Sequence, residues 1–284
     1  MIYRKLGFLC HPREAEARTL AERLMESVAS PELVVWLAET GDETTAHVHM
    51  PGTDLLVCVG GDGTTLWAAR LAAAFSCRIV SVNMGRLGFL SLLSPRDAVS
   101  GLRAILAGEG IVEERAMVEY VPLADPEARP AVGLNDIVVG RGAPGRPVYV
   151  SITIDGEHLA TVRADAIIVS TATGSTAYNL SAGGPILMPT DPSLLLTPVA
   201  PHLSRMRPFV LPPDSVIDLT VRSELGALVS VDGQLSRSLA SGESIRCRRA
   251  TARARFIAFG GPTEFFHRLA LSLNLGSRGE EIDP

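Results

Sequence analysis

Five apolar residues, Leu55-Leu56-Val57-Cys58-Val59, run directly into Gly60-Gly61-Asp62-Gly63-Thr64. Glycines at the end of a strand allow backbone N–H groups to approach a phosphate at the N-terminus of the following helix. The loop is not a Walker loop, since no Gly-Lys-Ser/Thr occurs, nor the dinucleotide fingerprint, since Leu66 stands where the last glycine belongs. What sets it apart is Asp62. A carboxylate in a phosphate cradle repels its own ligand, so it needs a reason: accepting a proton from an attacking hydroxyl, or holding a divalent cation. Asp-Gly alone is an ordinary turn or helix cap; behind an apolar strand, among three glycines, it reads as a phosphoryl-transfer turn.

Other clusters carry weaker signals. Asn83-Met84-Gly85-Arg86-Leu87-Gly88-Phe89-Leu90 is a second glycine-rich turn at the end of the next strand, where it would lie beside the first. Asn135-Asp136 precedes an apolar strand and alone is more often a turn or cap than a site; Arg163-Ala164-Asp165 leads into another, its Asp either exposed turn chemistry or a buried acceptor for ligand hydroxyls. Thr171 to Pro185 is the most informative stretch: a hydroxyl-rich glycine turn, one helical turn and Gly-Gly-Pro supply many small donors and one aromatic, suited to a nucleotide's ribose, phosphate and base. Val231-Asp232-Gly233-Gln234 reads first as a hairpin turn. His47 and His49 could share a strand face, but without a third ligand at metal spacing they read as a solvated loop.

The elements that must position these residues change character near Gly110. Before it, strands at Lys5–Cys10, Leu33–Ala38, Leu55–Val59 and Ile79–Val82 alternate with helical patterns at Arg13–Ala29, Thr64–Phe75 and Pro95–Ala107, the order of a doubly wound parallel sheet. After it, short runs at Val118–Leu123, Asp136–Val139, Val148–Ile154, Ala166–Ser170, Val216–Arg222 and Leu228–Val231 suggest an all-β domain, read as a sandwich. Thr263–Leu275 returns to a helical pattern. The expected division is an α/β domain over 1–109, a β-sandwich over 110–260, and a C-terminal segment, 261–284, packing back on the first. A length of 284 residues supports two domains, and a net charge of −5 argues against a general nucleic-acid binder. Cys10, Cys58, Cys77 and Cys247 show no Cys-x-x-Cys spacing and read as reduced core residues of a cytoplasmic protein. Ile2 to His11 reads as a strand at once, so secretion is not expected. The charge-free stretch Ala166–Thr190 has the length of a membrane span but is studded with Thr, Ser, Asn and Gly, so no membrane role is expected.

In order and spacing, Gly60–Thr64, Asn83–Leu90, Asn135-Asp136, Arg163–Asp165 and Thr173–Pro185 resemble the NAD kinases, and Thr197-Pro198-Val199-Ala200-Pro201-His202 is similar to that family's later Thr-Pro-x-x-Pro-His segment. The likeness covers nearly the whole chain. The glycine turn alone is shared with lipid kinases and phosphofructokinases. The resemblance implies a Rossmann-like α/β domain, a C-terminal β-sandwich, a site between domains and a homo-oligomer, tetramer or dimer. It implies transfer of the γ-phosphoryl of ATP to the 2′-hydroxyl of the adenosine ribose of NAD, with a divalent cation, Mg²⁺, whose ligands it does not identify. By position, Asp62 matches the family's proton acceptor and Gly63 its neighbour; Asn135 and Asp136 match the pair at the dinucleotide riboses, and Asp165 an acidic contact. Thr176, Ala177, Tyr178, Asn179, Leu180 and Ser181 match the segment lining the dinucleotide, and Arg146, Arg163, Ala200 and Gln234 match contact positions more loosely.

Three positions depart from the pattern: Ala172 replaces a proline, Ala166 a glycine, and Asp136 stands where many members have the longer Glu. The alternatives are a lipid or sugar kinase sharing the glycine turn, and a non-catalytic dinucleotide sensor. The first gives no role to Asn135-Asp136 with Thr176–Ser181; the intact Asp62 argues against the second.

Overall fold

The computed structural model describes residues 3–85, 88–125, 127–143, 145–260, 262–273 and 275. The chain divides into two compact units, one of residues 1–113 and 254–284 and one of residues 114–253.

The first unit begins β1 (Lys5–Cys10), α1 (Ala15–Val28), β2 (Val34–Glu39), α2 (Glu43–His49), β3 (Leu55–Gly60), α3 (Asp62–Ala73), β4 (Arg78–Asn83) and α4 (Ala98–Leu106). Its strands pair in parallel in the order β2-β1-β3-β4, the crossovers being helical as parallel pairing requires. Alternate strand residues, Leu6, Phe8 and Cys10 on β1 and Leu55, Val57 and Val59 on β3, form one core with Ala17, Leu20, Ala21 and Leu24 of α1 and Leu102 and Ile105 of α4. Their neighbours point to the opposite face, as the two-residue period of a strand dictates. All six residues of β3 are buried, so its carboxyl end delivers the glycine turn from a fixed support.

The helix after that turn starts two residues earlier than the sequence pattern suggests. Gly61 is its extended cap residue, and the Thr64 and Thr65 N–H groups donate to the Gly61 carbonyl at 3.1 and 3.3 Å. Asp62 therefore belongs to the first helical turn and not to the loop. A second correction concerns His47 and His49, which lie on α2 and not in a loop. Asp42 caps that helix by accepting the Thr45 N–H at 3.0 Å, and the His49 ring stacks on Trp36 at 5.6 Å.

Among its described residues, the second unit is built of strands apart from a 3₁₀ turn and one short helix. Its strands are β5 (Ile111–Pro122, entering from the first unit), β6 (Ala131–Gly133), β7 (Asp136–Arg141), β8 (Val148–Ile154), β9 (Glu157–Ala164) and β10 (Ala166–Thr171). A 3₁₀ turn (Thr173–Thr176) and α5 (Tyr178–Ser181) follow, then β11 (Leu194–Val199), β12 (Phe209–Leu211), β13 (Ile217–Val221), β14 (Ala227–Val231), β15 (Leu235–Leu239) and β16 (Ser244–Ala258). One antiparallel sheet has the order β12-β11-β10-β7-β14-β15. In the other, β13 pairs with β8 and with β16, and β8 with β9. Ile137, Val139, Ile167, Val169 and Val229 from the first meet Val150, Ile152, Leu219 and Ile245 from the second in one buried cluster, the layered packing of a sandwich.

Strands β6, β9, β11, β12, β15 and β16 have no counterpart in the sequence reading. The end of β16 belongs to the first unit, where Arg255 and Phe256 pair in parallel with Arg78 and Ile79, and α6 (Pro262–Ser272) follows it there. Within the expected C-terminal segment, residues 261, 274 and 276–284 lie outside the described residues. The four cysteines are free and buried. Among the described residues no helix is long and apolar enough to cross a membrane.

Candidate functional site

In the first unit the carboxyl ends of the strands open a cleft of about 430 Å³, lined among others by Glu14, Glu16, Gly61, Asp62, Asn83 and Gly88. That is where an open α/β sheet binds ligands. Asp62 reaches it from the first turn of α3, whose N-terminus carries the positive end of the helix dipole. The second glycine turn has a specific task here. A Cβ on Gly88 would stand 2.3 Å from Asp62 Oδ1, so only glycine lets this backbone lie against the carboxylate. Asn83 shapes the start of the same turn, its Oδ1 accepting the Gly85 N–H at 3.2 Å. Arg86 and Leu87 of that turn lie outside the described residues.

Glu14 and Glu16 escaped sequence reasoning. They sit at the cap and in the first turn of α1, and on sequence they are indistinguishable from ordinary helix-start acids. Only the parallel pairing of β1 beside β3 brings the end of β1, and so the start of α1, next to the glycine turn.

The second unit builds a different acidic feature. Asp136, the first residue of β7, is only 5% exposed, and burial first, then the charge of Asp232, pushes its carboxyl up to about 7. The preceding turn is held on its carbonyl side by β10, where Ser170 Oγ donates to the Asn135 carbonyl at 3.0 Å and Thr171 Oγ1 to the Leu134 carbonyl at 2.6 Å. Asp232 holds its N–H side, and nothing in the sequence but a hairpin dipeptide marked that residue. Thr173, at the start of the 3₁₀ turn, keeps a buried hydroxyl with no hydrogen-bond partner among the described residues.

The Thr176–Ser181 segment divides by exposure. Tyr178 is 43% exposed and Ser181 is exposed, whereas Thr176, Ala177 and Leu180 are half-buried. Asn179 differs from its neighbours in burial. It is fully buried; its Nδ2 donates to the Ser175 and Pro185 carbonyls, each at 3.0 Å, and its Oδ1 accepts from Thr197 at 2.7 Å. Its amide braces the segment and so holds its neighbours in place.

Asp165 lies 3.5 Å from Arg141 and 3.9 Å from His202. Ala200, in the same loop as His202, has φ of 45°, a left-handed conformation unusual for alanine. Arg146 and Arg163 share a separate cleft of about 640 Å³ with Arg141 and Arg222, and the Arg163 guanidinium lies 5.8 Å from the Tyr149 ring. Neither Asp136 nor Tyr178 lines that cleft. Gln234 is exposed in the hairpin loop after β14, its N–H donating to the Val231 carbonyl at 2.9 Å.

Residues 38–110 match the family model described as ATP-NAD kinase N-terminal domain, and residues 134–259 that described as ATP-NAD kinase C-terminal domain. A curated NAD kinase of Dehalococcoides mccartyi is 37% identical, over 99% of each chain, and one of Heliobacterium modesticaldum is 38% identical over 92% of this chain and 95% of its own. Among solved structures, an NAD kinase from Archaeoglobus fulgidus in complex with ATP is 26% identical with a TM-score of 0.76, covering 94% of this chain and 99% of its own. Yeast NADH kinase complexed with NADH gives a TM-score of 0.86 at 24% identity, covering 99% and 90%, a likeness of fold.

Proposed function

The chain belongs to the NAD kinase family, and from that premise we propose a division of labour in which Asp62 carries the chemistry while Asn135, Asp136 and Tyr178 hold the dinucleotide. The enzyme transfers the γ-phosphoryl group of ATP to the 2′-hydroxyl of the adenosine ribose of NAD, giving NADP. The 2′-oxygen forms a bond to the γ-phosphorus as the bond from that phosphorus to the β,γ-bridging oxygen breaks. Asp62 accepts the hydroxyl proton, and the N-terminus of α3 favours the phosphate charge beside it. The observation that carries this reading is a single carboxylate in the first turn of the helix after the glycine turn, facing a cleft and backed by Gly88.

A divalent cation fits the cleft as a companion of the nucleotide. Glu14, Glu16 and Asp62 line it, yet among the described residues no three His, Cys, Asp or Glu side chains converge to cage an ion alone. Mg²⁺ commonly takes one or two carboxylates and completes its shell with water and substrate phosphates. When bound it supplies charge neutralisation for the transferring phosphoryl group.

On the second unit, the buried carboxyl of Asp136 and the Asn135 amide offer hydrogen bonds to ribose hydroxyls, and the half-exposed Tyr178 ring offers a wall for a base. Asp165, Arg146, Arg163, Ala200 and Gln234 belong to the wider contact set. The enzyme works as a homo-oligomer, and sedimentation showing only a 30.1 kDa species at micromolar concentration would reject that. Four free, buried thiols suit a reducing compartment, and fractionation that finds the enzyme outside the cytoplasm would overturn that placement. The deciding experiment supplies ATP and NAD and identifies the product by phosphorus NMR. A new monoester resonance on the 2′ position is expected; no product, or phosphate on another hydroxyl, would refute the assignment.

A further inference from the structure

Asp232 sits in the loop between β14 and β15, and its φ of 51° with 64° at Gly233 is the left-handed pair that such a hairpin loop uses. An aspartate in a turn ordinarily spends its carboxylate on its own loop. Here the carboxylate leaves the hairpin. Oδ2 accepts the Leu134 N–H at 2.9 Å, and Oδ1 accepts the Asn135 N–H at 2.7 Å and the Asp136 N–H at 3.1 Å. The Asp232 N–H closes the contact by donating to the Asp136 carbonyl at 3.0 Å.

The approach is built into the sequence on the other side. A Cβ on Gly133 would stand 2.7 Å from Val231 Cγ1 and 2.9 Å from Asp232 Oδ1, so glycine there admits the hairpin. With Ser170 and Thr171 gripping the carbonyls of the same turn, its backbone is held from both sides. Asp232 is 9% exposed, and a buried carboxylate answered by several N–H groups is a strong, geometrically selective clamp.

We infer that Asp232 is a positioning residue for the dinucleotide: its carboxylate fixes the Leu134–Asp136 backbone and thereby aims the Asn135 and Asp136 side chains at the ligand. This rests on the assignment of Asn135 and Asp136 to NAD made above. A hairpin that merely needed a turn residue would not send the carboxylate to three N–H groups on another element. The clamp also places two carboxylates together, and the charge of Asp232 raises the proton affinity of Asp136 beyond what burial does.

The test combines backbone hydrogen exchange with NAD titration calorimetry across pH in the full-length enzyme. In the wild type the Leu134, Asn135 and Asp136 amides are expected to exchange as slowly as those of the buried strands. Asp232→Asn keeps the size but turns an NH₂ toward N–H donors. It is expected to speed exchange at those three amides, weaken NAD about tenfold and lower the pH midpoint of NAD binding. Gly133→Ala, which dislodges the carboxylate without removing it, should weaken NAD to a similar degree, and it carries the test if Asp232→Asn does not fold. In an Asn135→Ala/Asp136→Ala background Asp232→Asn should cost no further affinity, because it acts through that pair. Fast exchange of the three wild-type amides overturns the clamp without any variant. Wild-type exchange, affinity and pH midpoint in Asp232→Asn, beside a weakened Asp136→Ala, overturn the role of Asp232 alone. Wild-type NAD affinity in Asp136→Ala overturns the assignment of that residue to the dinucleotide, and with it the aim.

Discussion

Two aspartates, Asp62 and Asp136, stand at strand ends in the two units, and their surroundings differ in kind. Asp62 faces a cleft of about 430 Å³ from a helix N-terminus, against a glycine backbone. Asp136 is buried between β-strands beside a second carboxylate, with its carboxyl pushed up to about 7. A general base needs an open path to a proton and a charge that the surroundings tolerate, whereas a buried carboxyl suits fixed hydrogen bonds to hydroxyl groups. The contrast assigns turnover to the first and affinity to the second, and substitutions can break it.

The largest effect is expected from Asp62→Asn. The amide keeps the shape but cannot accept the proton, so kcat should fall by ~10²–10⁴ while NAD affinity stays within a few-fold of wild type. Steady-state kinetics with direct NAD titration separate the two quantities. Unchanged kcat would remove the proton-acceptor role, and a large loss of affinity with little loss of kcat would exchange the two aspartates' parts.

Substitutions of Asp136 test the other side. Asp136→Ala, which removes the acceptor for a ribose hydroxyl that Asn would keep, should weaken NAD by ~10- to 100-fold while leaving kcat at saturating NAD less affected. Stability supplies a second readout. The folded-state pKa of Asp136 lies above its unfolded value, so the folded chain binds the extra proton and this group's contribution is complete below about pH 4. It is lost as pH rises through about 7. Asp136→Asn should therefore melt higher relative to wild type at pH 8 than at pH 4, by up to a few kcal/mol. A difference that is flat with pH would show that the carboxyl is not held protonated by its surroundings.

The two regions were also unequally legible. In the first unit, apolar strands alternating with amphipathic helices located β1 to β4, and a fully buried β3 ending in glycines announced the cradle. What escaped there depended on neighbours: Glu14 and Glu16 acquire meaning only once β1 lies beside β3. In the second unit, the missed strands are those whose pattern solvent blurs. In β15 (Leu235–Leu239) only the last residue is buried, and in β16 (Ser244–Ala258) several arginines interrupt the alternation, with Arg246 and Arg248 paired to Asp218 and Glu119 on neighbouring strands. The Asn135-Asp136 pair was visible, but Asp232 was not, because its three hydrogen bonds span almost a hundred positions of sequence. Nor did the motif reveal that Asn179 is buried and bonded to the Ser175 and Pro185 carbonyls and to Thr197, because those partners are set by the fold of the segment.

Tyr178→Ala sharpens the affinity side of the comparison. At 43% exposure the ring is not a core residue, so its removal should leave the melting temperature near that of wild type. If the ring stacks on the dinucleotide, about 1 kcal/mol of binding beyond area effects should be lost, a few-fold or more in Kd. A variant that melts several degrees lower with unchanged NAD affinity would return Tyr178 to a packing role.

The smallest effect concerns the loop after β11. Ala200 is held at φ of 45°, where an L-residue costs ~1–2 kcal/mol that glycine does not incur. Glycine recovers that cost but gives up ~0.5–1 kcal/mol through the greater freedom of the unfolded chain. Ala200→Gly should therefore stabilise the enzyme slightly, by about 0.5 kcal/mol, if the conformation serves only the fold. The neighbouring contacts point to a use for the stiffness: the Asp165 N–H donates to the Val199 carbonyl at 2.9 Å and the His202 N–H to the Arg163 carbonyl at 2.8 Å, so the loop registers Arg163 and Asp165 together. A loosened loop would then bind NAD more weakly although the protein melts higher. Measuring both quantities on one variant separates the outcomes: higher melting with reduced NAD affinity ties the strained alanine to ligand positioning, and higher melting with wild-type affinity confines it to the fold.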